Sequence, residues 1–133
     1  MINRRLLLGG AAAAVAQVLI SNAQAQNRAQ RFKQDIPELN TKNWEVNVLE
    51  VSYAPGGSSG AHRHPGITIV YVLEGEVVSK VADGPETAYK QGEVFMETPN
   101  QLHGVSRNAS STKPAKILAV MLSEKGKDLT TPA

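Results

Sequence analysis

AHRHPGITIVYVLEG, residues 61–75, holds two of the three histidines of a 133-residue chain, His62 and His64, and then runs into an almost unbroken apolar stretch. On extended backbone, residues i and i+2 point the same way, so both imidazoles share one face while Arg63 takes the other. The run after Pro65-Gly66 is rich in β-branched residues and is closed by Glu74-Gly75, which reads as a buried strand. Two imidazoles on one face at the start of such a strand offer a pair of nitrogen ligands.

Outward from this stretch the same grammar repeats. WEVNVLEVSYAP, residues 44–55, alternates apolar and polar residues and stops at Pro55-Gly56-Gly57. EVVSKVA alternates before the turn Asp83-Gly84-Pro85; ETAYK is a short strand before Gln91-Gly92; EVFMET ends at Pro99-Asn100. LHGVSR, a polar NASSTKP loop and the apolar KILAVML follow. About eight short strands at near-regular turn spacing, with no helical period beyond the first 25 residues, predict an all-β antiparallel barrel or sandwich. Ile69, Val70, Val72, Phe95, Met96 and Leu118 are expected to pack the barrel and wall a small pocket, with Tyr71 and Trp44 as core residues. Residues 26–43 are polar and unpatterned and read as an arm; residues 123–133 read as a polar tail that frays.

The first 25 residues stand apart. A basic start at Arg4 and Arg5, an apolar run over 6–20 interrupted by Gly9, Gly10 and Gln17, and the small-residue site Ala23-Gln24-Ala25 read as a signal peptide cleaved before Gln26. The competing reading is an uncleaved membrane anchor. Asn3-Arg4-Arg5-Leu6-Leu7-Leu8 is similar to a twin-arginine signal, which implies export of a folded protein to the periplasm or beyond.

Without that segment, twelve Lys and Arg face twelve Asp and Glu, so the formal charge of +2 belongs to the signal. No basic stripe remains, and nucleic acid is excluded as a partner; after cleavage no membrane partner is expected either. With no cysteine, disulfides, thiolate ligands and a cysteine nucleophile are excluded together. Gly56-Gly57-Ser58-Ser59-Gly60 spells G-x-S-x-G, but no helix follows it, so it reads as loop punctuation and does not support a hydrolase.

The third histidine, His103, lies far along the chain, on or just after EVFMET. In a small closed sheet a late strand lies opposite an early one, so two nitrogens from one strand and a third from another can build a metal site.

At these residues the chain resembles the cupin family. Gly56, His62, His64, position 68 and Gly75 match the spacing of the family's first motif, and Gly92 with His103, eleven positions later, matches the second. The resemblance covers roughly residues 44–122 and implies a double-stranded β-helix, or jelly-roll, barrel. Departures are specific. Thr68 stands where the family usually has a glutamate ligand, Thr98 and Asn100 replace a proline and a glycine, and Arg107 replaces an asparagine.

The resemblance implies His62, His64 and His103 as ligands of a divalent transition metal, iron first, with zinc, manganese, nickel or copper as alternatives. Loss of the carboxylate at Thr68 is expected to leave the site more cationic and suited to an anionic ligand such as an enolate. A compensating ligand is Glu97 or Gln101; Glu97 is either a fourth ligand or acid/base group, or a solvated strand residue or a partner for Arg107, and the break at Pro99-Asn100 removes strand parity as a guide. Arg63 is expected to face outward, solvated or paired with an acid across a subunit boundary. Two functions follow: a mononuclear-metal, dioxygenase-like enzyme acting on a small oxygenated compound, or a non-catalytic periplasmic binder of a metal or small ligand. A lyase or isomerase using the metal as a Lewis acid is a third. The resemblance also implies a homodimer.

Overall fold

A computed structural model describes residues 28–133; the signal-peptide and twin-arginine readings lie outside the described residues. Ten strands follow in order: β1 (Trp44–Tyr53), β2 (Ser58–Ser59), β3 (His62–Arg63), β4 (Ile67–Glu74), β5 (Glu76–Val81), β6 (Thr87–Lys90), β7 (Val94–Glu97), β8 (Leu102–Asn108), β9 (Ala115–Glu124) and β10 (Thr131–Pro132). Among the described residues no helix is long and apolar enough to cross a membrane.

The strands form two antiparallel sheets. One has the order β1-β9-β4-β7; the other has β10-β3-β8-β5-β6, with β2 also paired to β8. The expected all-β jelly-roll architecture is therefore what the chain adopts, and the turn residues account for its corners. Gly75 closes the β4–β5 hairpin at φ 72°, where a Cβ would also meet the Pro114 carbonyl oxygen at 2.7 Å, so only glycine serves. Gly66 serves by close approach: a Cβ there would overlap the carbonyl oxygen of Leu122, and its absence lets the histidine segment lie against β9.

Side chains facing the interior are arranged in rows across each sheet. In the first sheet, register aligns Val51, Ile117 and Val72 in one row, and Leu49, Ala119, Val70 and Phe95 in the next. A third row holds Asn47, Met121, Thr68 and Glu97. In the second sheet Val77 opposes Asn108, Ser79 opposes Ser106, and Val81 opposes His103. The apolar core of Tyr53, Val70, Val72, Val77, Phe95, Ala115 and Ile117 fills one end of the barrel. Full burial of each valine contributes roughly 1.5–3 kcal/mol relative to exposure. The polar rows lie at the other end.

A β-bulge arranges that polar end. His103 and Ser106, three positions apart, would point to opposite faces of a regular strand. The register shift between Lys80 and Val81 leaves Gly104 as the extra residue, so both side chains turn inward.

Two expectations are corrected. Tyr71 is 37% exposed, and Ile69 and Leu118 are only partly buried, because they belong to the outward set of β4 and β9 along with exposed Val46 and Val48 of β1. Alternation reveals two faces without saying which one is inside. The tail does not fray: β9 continues to Glu124, and Thr131 and Pro132 pair with Arg63 and His62. Arg63, expected to face outward, makes an exposed hydrogen bond to the Asn100 carbonyl at 2.7 Å.

Candidate metal centre

His62 and His103 are cross-strand partners in the β3–β8 ladder, and His64 follows where β3 turns toward β4. Ring centroids lie 4.7 Å apart for His62 and His64, 4.9 Å for His62 and His103, and 6.4 Å for His64 and His103. One nitrogen from each ring falls within 4.8 Å of the others, so the cluster could hold a metal ion. The turn from β7 to β8 braces it: the Asn100 amide donates to the His64 carbonyl at 2.7 Å, and Asn100 takes φ 63°. A left-handed conformation explains why this position favours glycine and why asparagine is an acceptable replacement.

Hydrogen bonds fix two of the rings. His62 Nδ1 donates to the Gly60 carbonyl at 2.6 Å, and His64 Nδ1 donates to the Leu129 carbonyl at 2.8 Å. A carbonyl can only accept, so Nδ1 carries a proton in each ring and Nε2 is the nitrogen left to face the cavity. Those two Nε2 atoms face one another at 3.1 Å. A proton or a metal ion held between them satisfies both nitrogens at that distance. Nitrogens sharing one zinc-like ion at about 2.0–2.1 Å would stand roughly 3–3.4 Å apart, which fits the observed spacing. His103 sits further out, with its Nε2 held by Ser79 Oγ at 2.9 Å and its Nδ1 turned toward Glu97.

Glu97 lies beside the cluster. Its side chain is 1% exposed, with Oε1 at 3.1 Å from His103 Nδ1 and Oε2 at 3.8 Å from His64 Nε2. The shorter contact is out of line for a hydrogen bond, so both carboxylate oxygens and His103 Nδ1 are buried without a hydrogen-bond partner. Such groups are costly when left unpaired, and their convergence on the imidazole nitrogens is what a bound cation would satisfy. The donor set therefore fits a divalent metal.

The solvated reading of Glu97 is thus overturned. Arg107 pairs instead with Glu86 at 3.5 Å on the surface. Glu97 is the register partner of Thr68, so an acid stands on β7 directly across from the position on β4 that lacks one. Burial holds the His64 pKa below its ordinary 6.5, against the raising influence of the Leu129 carbonyl and Glu97; His62 and His103 act in the same direction as burial.

The cluster opens into a cavity of about 380 Å³. Its floor and one wall are apolar, from Leu49, Val51, Val70, Ile117, Ala119 and Met121; the opposite wall carries the histidines and hydroxyls. Tyr53 Oη lies 2.8 Å from Ser106 Oγ and 3.1 Å from Ser59 Oγ in that wall. Three contributors escaped sequence reasoning. Ser79 was detectable in principle as the polar residue on the inward set Val77, Ser79, Val81; the Leu129 carbonyl and the Tyr53 hydroxyl cluster left no local signal.

Residues 49–121 match the family model described as a cupin domain. No curated protein matches the chain. Among solved structures, DMSP lyases align with TM-score 0.58 at 19% identity, covering 66% of this chain and 44% of theirs, a likeness of fold alone. A predicted oxalate decarboxylase from Thermotoga maritima aligns with TM-score 0.50 at 29% identity, covering 56% of this chain and 63% of that one. The chain thus spans less than two thirds of either. The TT1209 protein from Thermus thermophilus aligns with TM-score 0.53 at 28% identity, covering 72% of this chain and 90% of that one.

Proposed function

The chain belongs to the cupin family, and from that premise we propose that it is an exported, metal-dependent, dioxygenase-like enzyme acting on a small oxygenated organic compound. His62, His64, His103 and Glu97 would hold the ion. The carrying observation is the 3.1 Å approach of the His62 and His64 Nε2 atoms beside a buried carboxylate with no hydrogen-bond partner. Three imidazoles and one carboxylate suit iron first, with zinc, manganese, nickel and copper as alternatives. When bound, such an ion supplies Lewis acidity and, if iron, redox access to oxygen.

The chain's own residues do the rest. The Gly60 and Leu129 carbonyls hold the His62 and His64 rings with Nε2 inward, and Ser79 Oγ orients His103. Glu97 contributes negative charge next to the imidazoles, and the apolar wall excludes water from the compound that enters. A buried acid among the histidines favours an enzyme over a passive binder.

Export is supported by the basic, apolar and small-residue pattern of the first 25 residues, with a twin-arginine route suggested by Arg4 and Arg5. A homodimer is supported by Val46 and Val48, 60% and 61% exposed on β1, an edge strand whose far side has no partner among the described residues. Oxygen uptake by ferrous-loaded protein, measured against phenolic and enolisable compounds, tests the activity. Uptake that requires the ion and is lost in His103→Ala is expected; tight metal binding with no uptake for any compound would assign the barrel to ligand capture instead.

A further inference from the structure

Building on the metal-bound site, we propose that the cavity selects small, mainly apolar compounds bound as monoanions through an ionised oxygen, and rejects dianions such as dicarboxylates. Charge balance carries the selection. A divalent ion with the Glu97 carboxylate leaves one net positive charge, which a monoanion neutralises. A dianion would leave one net negative charge facing Leu49, Val51, Val70, Ile117 and Met121, and among the described residues no lysine or arginine lines the cavity to offset it. An uncompensated charge in apolar surroundings is strongly unfavourable. Arg63, next to the histidines in sequence, is committed to the Asn100 carbonyl and does not line the cavity.

A second observation points to the ligand's oxygen. Thr68 is 2% exposed, lines the cavity, and its Oγ1 has no hydrogen-bond partner. It stands opposite Glu97 in the β4–β7 register, where a ligand oxygen held beside the carboxylate becomes its acceptor. A buried hydroxyl without a partner costs free energy that such a ligand recovers. The exchange of carboxylate from β4 to β7 thus leaves a neutral donor in its place, and Thr68 becomes a specificity-determining residue. At about 380 Å³ the cavity is at the small end of ligand pockets, matching a single ring or short branched chain.

The test uses cobalt(II)-loaded protein titrated, by visible absorption, with tropolone, acetohydroxamate and oxalate, each affinity expressed relative to that for the aqueous ion. Metal content is measured on the same samples. Tropolone and acetohydroxamate are expected to bind at least about tenfold more favourably than oxalate, and Thr68→Val to weaken tropolone by about tenfold with metal content unchanged. Oxalate binding as well as the monoanions, or Thr68→Val leaving tropolone unaffected, overturns the selection while the metal site stands. Failure to retain cobalt overturns the metal site itself, and the selection with it.

Discussion

Thr68 and Glu97 stand directly opposite one another on β4 and β7, both buried and both lining the cavity. Cross-strand partners on one face of an antiparallel pair lie within about 4.5–5.5 Å at Cβ, so a carboxylate moved from one to the other serves the same space. The exchange explains how the chain departs from the family pattern at Thr68 and still places an acid among its three histidines.

Glu97→Gln separates binding from stability. The amide keeps the shape and removes a buried carboxyl group whose oxygens lack hydrogen-bond partners. Metal affinity should fall by about 10- to 100-fold, while metal-free protein should become more stable by about 1–3 kcal/mol. Paired chemical denaturation and metal titration read both signs; a loss of stability in the metal-free variant would show that the carboxylate is already well paired.

The C-terminal strap is part of the site. Leu129 accepts from His64 Nδ1, Thr130 Oγ1 lies 3.4 Å from the same atom, and β10 pairs with β3. A chain ending at Asp128 should retain its β circular dichroism and lose about tenfold or more in metal affinity, as happens when a metal ligand loses its outer-shell partner. Unchanged affinity would reduce the strap to a cover.

Stability of the metal-free protein should fall in mild acid. His64 has its pKa lowered on folding, chiefly by burial, so below 6.5 the unfolded chain binds more protons than the folded one. Its contribution is complete above 6.5 and is lost as pH falls from there toward the folded value. Urea midpoints at about pH 7.5 and about pH 5 measure the difference, and His64→Gln should shrink it. An equal pH dependence in that variant would remove His64 as the source.

Self-association through the outer face of β1 predicts a dimer mass in sedimentation for the wild type. Val48→Glu, which places charge on a 61% exposed strand position, should shift the protein to monomer with its fold intact. A wild-type monomer at high concentration would rule out that face.

Much of the barrel was legible because alternation and turn residues are local: Pro55-Gly56, Glu74-Gly75, Asp83-Gly84 and Gln91-Gly92 each end a strand close to where the chain turns. The two-residue strands β2, β3 and β10 were not, since their pairing depends on β8 and on one another rather than on any pattern of their own. The histidines were legible from spacing. Glu97 was ambiguous because the turn at Pro99-Asn100 transfers the chain from one sheet to the other, and its neighbours come from across the barrel. A backbone carbonyl such as that of Leu129 has no signature in sequence at all.

Elemental analysis of protein purified without chelator, for wild type, His62→Ala and His103→Ala, addresses the three-nitrogen centre most directly. The wild type should carry about one divalent transition-metal ion per chain and each variant a small fraction of it. Metal at the same stoichiometry in His62→Ala and His103→Ala would contradict the site.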